Sequence, residues 1–213
     1  METLKRLLIA ATTVCALAAC GSSVAAPGST PAGAAGTRCG PSAAKTLAAS
    51  RDARVYVQSG SVYGCAARGR GRYRLGHSLL CVNSDRVGPV TVAGRLAAFA
   101  VTRCGVDTGS ATVVVRRLSD GAHLFSHVAA NPSGPEGYIS VTSIVATSKG
   151  AVAWIARASS IVSHHTVMGV FVRHGAGVSQ LDSGSGIVAD SLQLKGSALS
   201  WSDSSGRRSA RLS

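Results

Sequence analysis

The chain has 213 residues and carries 22 basic and 9 acidic side chains, which gives a net charge of +13. Only 15% of the residues are charged and 46% are hydrophobic, so the chain can bury a core and is not a disordered polyelectrolyte. These values also exclude a collagen, a coiled coil and a membrane protein with several spans. The length allows one domain, or at most two small ones.

The positive charge comes almost entirely from arginine, with 18 Arg against 4 Lys. Two interpretations stay open at this point. Arginines scattered over the surface keep a β protein with few charges soluble, or they form a surface for an anionic partner.

The N-terminus is typical of an export signal. Lys5 and Arg6 precede an apolar run of 13 residues, 7–19, which is too short to span a bilayer as a mature helix. Removal of residues 1–19 leaves 20 basic and 8 acidic residues, so a net charge of +12 belongs to the mature protein.

The apolar run ends in Leu17-Ala18-Ala19-Cys20, which resembles the lipobox of bacterial lipoproteins. In that family the cysteine thiol receives a diacylglycerol and the signal peptide is cut before it, so the resemblance implies lipidation at Cys20. The alternative is an ordinary secretory signal, cut after Val24-Ala25-Ala26.

Three segments follow from these features. Residues 1–19 are a lipoprotein signal peptide, residues 20–37 a flexible tether rich in Gly, Ser, Ala and Pro, and residues 38–213 a folded domain. Because two acyl chains anchor a protein stably, we expect it on the extracytoplasmic face of the cell membrane, with secretion as the alternative.

Four cysteines lie in the folded domain, at positions Cys39, Cys65, Cys81 and Cys104. An even number in an exported chain predicts two disulfides, and three pairings can be drawn. We favour Cys39–Cys65 and Cys81–Cys104, because each closes a loop of about 25 residues. A four-thiolate zinc site is disfavoured, because the chain has no Cys-x-x-Cys pair.

The folded domain reads as all-β with one short N-terminal helix. The segment Pro41–Ser50 combines a proline in the first turn with Ala and Leu, which favours a helix. After Arg51 the pattern changes to short alternating runs separated by Gly, Ser and Asp, which predicts strands.

A weak repeat runs through these strands. Segments 94–99, 149–154 and 196–201 each have a turn residue, small or aliphatic residues and then an aromatic, and 60–65 is a degenerate copy with Cys65 in the aromatic position. A mean spacing near 45 residues is typical of β-propeller blades. We therefore predict propeller-like repeats of about four units, incomplete or open, with a β-sandwich as the alternative.

The aromatic residues of the repeat are Phe99, Trp154 and Trp201. They sit on apolar strands, so we expect them to pack between repeats. The alternative is an exposed platform for stacking sugars.

The folded domain also resembles uncharacterised exported proteins of actinobacteria with propeller-like repeats. The resemblance covers about residues 38–213. It rests on Cys39-Gly40-Pro41, on the segment Arg54 to Cys65, on Cys104-Gly105-Val106-Asp107-Thr108-Gly109 and on Val152-Ala153-Trp154-Ile155. It implies a fold and an exported location but no activity.

Signals for catalysis, metals and cofactors are weak. The chain has no Gly-x-Ser-x-Gly elbow, and most of its carboxylates stand beside Gly, Ser or Asn, as is typical of turns. His123 and His127 would lie about 13 Å apart on a strand, too far to share an ion. We therefore predict no catalytic residue, no metal site and no cofactor.

The densest charge is at Arg68, Arg70, Arg72 and Arg74, which alternate with Gly and Tyr. A fully extended strand would place all four on one face at steps of about 6.8 Å, suitable for an anionic polymer or lipid headgroups. The alternative is a hairpin whose arginines protect an edge. Nucleic acid is a poor partner for an exported protein, and no aromatic stacking set accompanies the arginines.

These observations favour a lipid-anchored, non-catalytic binding domain of the cell envelope. A second hypothesis is a hydrolase or lyase for envelope polymers with its site in a propeller funnel. A third is a subunit whose incomplete last repeat is finished by another chain.

Overall fold

The computed structural model describes residues 39–79, 85–106, 108–131 and 137–212. In these residues the chain forms fifteen β-strands, and none of them lies in a helix that could cross a membrane. Cys20, the predicted signal peptide and the whole of the predicted tether lie outside this part of the chain, as does Cys81.

The strands follow one another with short connections. Their bounds are β1 Lys45–Ala49, β2 Ala53–Gln58, β3 Ser61–Ala66, β4 Arg72–His77, β5 Asp85–Ala93, β6 Leu96–Cys104, β7 Gly109–Arg117, β8 His123–Val128, β9 Gly137–Ala146, β10 Val152–Ser160, β11 Thr166–His174, β12 Gly177–Gly184, β13 Gln193–Lys195, β14 Ala198–Asp203 and β15 Gly206–Arg211.

The strands pair as a twelve-stranded mixed sheet, β1–β12, and a three-stranded sheet, β13–β15. The mixed sheet consists of three antiparallel meanders: the first is β1–β4, the second β5–β8 and the third β9–β12. Single parallel pairs join them, His77 to Arg86 and Gly109 to Tyr138. The three-stranded sheet is the fourth meander. The all-β prediction is confirmed.

The prediction of a helix at Pro41–Ser50 is wrong. Residues 41–44 form a turn, and β1 then pairs antiparallel with β2, from Lys45 opposite Val57 to Ala49 opposite Arg54. The Arg54 guanidinium also donates hydrogen bonds to the turn. Helix propensities differ by less than about 0.7 kcal/mol for ordinary residues, so strand pairing outweighs the Ala and Leu content.

Three apolar layers separate the four meanders. On β6, Ala97 and Phe99 pack against the first meander, while Ala98 and Ala100 pack against the third. The same alternation on β10 divides its residues between the second and fourth meanders. Each inner meander is therefore buried on both faces, which explains the nearly continuous apolar runs of its central strands.

The second strand of each meander carries one buried aromatic residue, Tyr56, Phe99, Trp154 or Trp201. The prediction that Phe99, Trp154 and Trp201 pack between repeats is confirmed, because each lies in the layer facing the preceding meander. The assignment of Cys65 to the aromatic position is wrong. That cysteine lies on the third strand of the first meander, and Tyr56 on the second strand is the true counterpart.

Tyr56 differs from its counterparts because no meander precedes the first one within the described residues. Its ring packs with Cys39 and Cys65, whose predicted disulfide is present. Gly40 lies directly over the ring at φ +80°, and a Cβ there would come within 2.5 Å of the Tyr56 ring. The disulfide-tied segment therefore covers the end of the apolar stack.

Loss of the Cys39–Cys65 disulfide is expected to destabilise the domain. The bond closes a loop with a sequence separation of 26 residues, so restriction of the unfolded chain contributes roughly 3 kcal/mol. We expect the free energy of unfolding of a Cys39→Ser, Cys65→Ser variant, measured by urea denaturation, to fall by about that amount. An unchanged denaturation midpoint would contradict the capping role.

Candidate functional site

The four arginines of segment 68–74 are divided between a turn and a strand. Arg68 and Arg70 lie in the turn after β3, and Arg72 and Arg74 lie on β4. All four side chains are exposed. The four arginines therefore do not share one extended strand, and they lie in the turn and second strand of the β3–β4 hairpin, as the hairpin alternative has it.

Backbone hydrogen bonds explain why β4 begins at Arg72 and not at Arg68. The Gly69 N–H donates to the Ala66 carbonyl at 3.0 Å, and the Arg70 N–H donates to the Ser119 carbonyl at 3.0 Å. These bonds turn the chain against the end of β7, so regular pairing with β3 begins only at Arg72.

Arg72 is held over an aromatic ring. Its guanidinium carbon lies 4.9 Å from the Tyr63 ring centroid, and Nη1 donates to Gln58 Oε1 at 2.9 Å. A guanidinium stacked in this way is ordered before a ligand arrives and keeps other N–H groups free. Arg74 is similarly placed beside His77, with 2.8 Å between Nη2 and Nε2.

A second arginine, Arg54, stacks on the neighbouring ring but has a structural role. Its guanidinium carbon lies 5.3 Å from the Tyr56 centroid, and the Tyr56 and Tyr63 rings stack at 5.9 Å. Its N–H groups donate to Thr46 Oγ1 at 2.8 Å and to carbonyl oxygens of the turn before β1. Arg54 is therefore occupied.

Acidic residues neutralise other arginines. Within the described part of the chain the ion pairs are Arg103–Asp85 at 2.9 Å, Arg117–Asp120 at 2.8 Å and Arg208–Asp203 at 2.8 Å. No described carboxylate pairs with Arg68, Arg70, Arg72 or Arg74. Their charge is thus available to an outside anion.

The carboxylates of these ion pairs are held ionised. The hydrogen bond from Arg103 lowers the pKa of Asp85, and the bond from Arg117 lowers that of Asp120. Hydrogen bonds from Ser205 and Arg208 lower the pKa of Asp203 to about 2. Lowered pKa values suit structural anions and do not suit a general acid or base at neutral pH.

Three cavities among the described residues have no carboxylate, imidazole or thiol in their linings. A cavity of about 420 Å³ between the third and fourth meanders is lined by Thr147, Ser148, Lys149, Gly196, Ser197 and Leu212. This lining holds one amine and no carboxylate, imidazole or thiol. Among described residues, no group of three or more His, Cys, Asp or Glu side chains could hold a metal ion.

Comparison with known proteins adds no family. No protein-family model matches the chain, and no curated protein matches it.

The sequence prediction missed the ring contacts. Tyr63 and Gln58 orient Arg72, yet they lie on different strands and carry no motif that links them to the arginines. The available signal was the alternation in β3, which puts Tyr63 and Cys65 on one face. Of the other predicted cysteines, Cys104 is disulfide-bonded, while Cys81 lies outside the described residues.

Asp203 leads to a prediction about pH. Its pKa is depressed from 3.8 to about 2, so the ionised carboxylate stabilises the fold above pH 3.8, and this contribution is lost as the pH falls towards 2. Between about pH 4 and pH 2, wild type should lose more thermal stability than Asp203→Asn, which lacks the ionisable group. Equal losses in melting temperature, followed by circular dichroism, would contradict this assignment.

Proposed function

We propose that the chain is a lipid-anchored protein of the extracytoplasmic membrane face whose β domain binds an anionic envelope polymer or lipid headgroups without catalysing a reaction. The observation that carries this proposal is the exposed segment 68–74, whose four arginines have no described acidic partner. Such a concentration of unpaired positive charge is unfavourable on its own and is relieved by a bound anion.

The anchor rests on the lipobox-like Leu17-Ala18-Ala19-Cys20 and on the small, polar tether 20–37 that follows it. A thioether-linked diacylglycerol with a second acyl chain holds a protein stably at a bilayer. The tether would then let the domain reach groups on or near the membrane surface. Secretion without a lipid is the alternative.

A propeller-like arrangement of the four meanders is part of the proposal. Each has an equivalent buried aromatic on its second strand, and the first strands β1, β5, β9 and β13 lie beside one another in succession. Strands that meet in this order favour meanders arranged around a common axis. Within the described residues the fourth meander has three strands where the others have four, which suits the open or incomplete form of the proposal.

Binding would use guanidinium groups that are already oriented. Arg72 is fixed by Tyr63 and Gln58, and Arg74 is fixed by His77. A planar guanidinium donates two parallel hydrogen bonds to a phosphate or carboxylate, and a charge-assisted bond is stronger than a neutral one. Arg68 and Arg70 in the adjacent turn extend the positive surface beyond the end of β4.

The anchor is tested by metabolic labelling with a palmitate analogue in a bacterial host. We expect the wild-type chain to take up label and to stay with the membrane fraction. A Cys20→Ser chain should take up none, because the thiol is absent. Equal labelling of both chains would contradict lipidation at Cys20.

The binding surface is tested with the chain from residue 20 onward, carrying Cys20→Ser so that it holds no acyl chain. This chain contains the whole of the compact unit Ala34–Ser213. We expect replacement of the four arginines by serine to weaken sedimentation with phosphatidylglycerol vesicles by at least about tenfold, since each basic residue near such a surface contributes about 1 kcal/mol.

A matched control removes the same charge elsewhere. Arg51, Arg95, Lys149 and Arg157 are exposed and make no ion pair in the described part of the chain. Their fourfold serine variant should keep most of the binding. Equal binding by wild type and the 68–74 variant would overturn the proposal, and equal weakening in both variants would show that only net charge acts.

A further inference from the structure

The fourth meander has one apolar face and one polar face. Leu194, Leu199 and Ala210 pack into the layer against the third meander. Strand alternation therefore turns their neighbours to the opposite face. That outer face consists of Gln193, Lys195, Ala198, Ser200, Ser202, Arg207, Ser209 and Arg211.

The outer face carries positive charge that nothing described neutralises. Lys195, Arg207 and Arg211 are exposed and form no ion pair in the described part of the chain. In contrast, Arg208 on the same strand is paired with Asp203 at 2.8 Å. On β15, the arginine of the inner face is therefore ion-paired, whereas the two arginines of the outer face are not.

The strand register lines up hydrogen-bond donors along one face of β15, in a row called the track below. Arg207, Ser209 and Arg211 alternate along β15 at steps of about 6.8 Å. Lys195 lies in the same row as Arg211, two strands or about 10 Å away. Midway along the track, between Arg207 and Arg211, Ser209 lies directly opposite Ser200 of β14.

Side-chain bonds orient one end of the track. Arg207 Nη2 donates to Ser200 Oγ at 2.8 Å and to Gln193 Oε1 at 3.3 Å, which lays the side chain across the sheet. The other guanidinium nitrogens remain free to donate. The face therefore offers ammonium, guanidinium and hydroxyl donors together and no carboxylate.

We propose that this outer face is a second anion-binding surface and that its occupant is a linear phosphate-bearing polymer lying along β15. Guanidinium and hydroxyl groups at regular short intervals match a chain whose anionic groups also recur at short intervals. The surface is separate from segment 68–74, and it does not depend on the function proposed for that segment.

Two other occupants fit less well. Protein interfaces have a core of aromatic and aliphatic residues, whereas Ala198 is the only apolar side chain on this face. Headgroup-binding clusters typically have four to eight basic residues, and this face has three and no aromatic ring to enter the membrane interface. Both classes are outcomes of the test.

The test measures binding of fluorescein-labelled polyphosphate to the Cys20→Ser chain from residue 20 onward, by fluorescence anisotropy at low salt. We expect the Lys195→Ser, Arg207→Ser, Arg211→Ser variant to bind about tenfold more weakly, because it loses three cations that can contact phosphate groups. A Ser209→Glu variant, which keeps all three cations, should also weaken binding because its carboxylate stands between Arg207 and Arg211.

The control variant replaces Arg51, Arg95 and Arg157 by serine and should bind less than threefold more weakly than wild type. Equal weakening by control and test variants, or none by the test variants, would overturn the proposal. Tighter binding of labelled poly-glutamate than of polyphosphate would point to an acidic protein as the occupant. If the test variants lose binding to phosphatidylglycerol vesicles but keep binding to polyphosphate, the occupant would be the membrane. Either result would also overturn it.

The same probe distinguishes the two surfaces. The variant of segment 68–74 and the variant of the outer face are measured separately and in combination. Additive losses support both surfaces. A loss confined to one variant supports that surface alone, so failure of one proposal is not mistaken for failure of the other.

Discussion

The architecture depends on burying one aromatic ring from the second strand of the second, third and fourth meanders against the meander that precedes it. Phe99, Trp154 and Trp201 each fill such a layer. The indole N–H of Trp154 donates to the Ala129 carbonyl and that of Trp201 to Asp182, both at 2.7 Å, so each tryptophan also bonds the preceding meander. Among the described residues no meander precedes Tyr56, and its buried hydroxyl has no hydrogen-bond partner there. The Cys39–Cys65 disulfide and Gly40 supply the cover that a meander supplies elsewhere.

The repeat spacing and the alternation of apolar and polar residues predicted the strands and the burial of three aromatic residues. Both patterns depend directly on which side chains are buried on folding. They did not predict β1, because its strand form depends on pairing with β2 and on bonds from Arg54. The first repeat was likewise assigned to Cys65 in place of Tyr56. Tyr56 is identified as the equivalent of Phe99, Trp154 and Trp201 only when the second strands β2, β6, β10 and β14 are compared in the structure.

The candidate site was only partly predictable for the same reason. Exposure of Arg68, Arg70, Arg72 and Arg74 follows from composition, but the point where β4 starts is set by a contact with residues about fifty positions later. The face formed by Lys195, Arg207 and Arg211 had no signal in the sequence, since those cations are distributed over two strands and become neighbours only through the register of β13–β15.

The two end meanders are chemically unlike each other, and this affects how copies of the chain can associate. The first presents a covalently covered aromatic face, and the fourth presents hydroxyls and cations. Head-to-tail contact between copies would require the two end faces to be complementary. A series of such contacts forms a closed ring or, where the rotation does not close, an open filament. Within the described residues, the first face is covered by the disulfide-tied segment, and the outer face of the fourth meander has a single apolar side chain, Ala198. Among the described residues, the two end faces are therefore not complementary to each other.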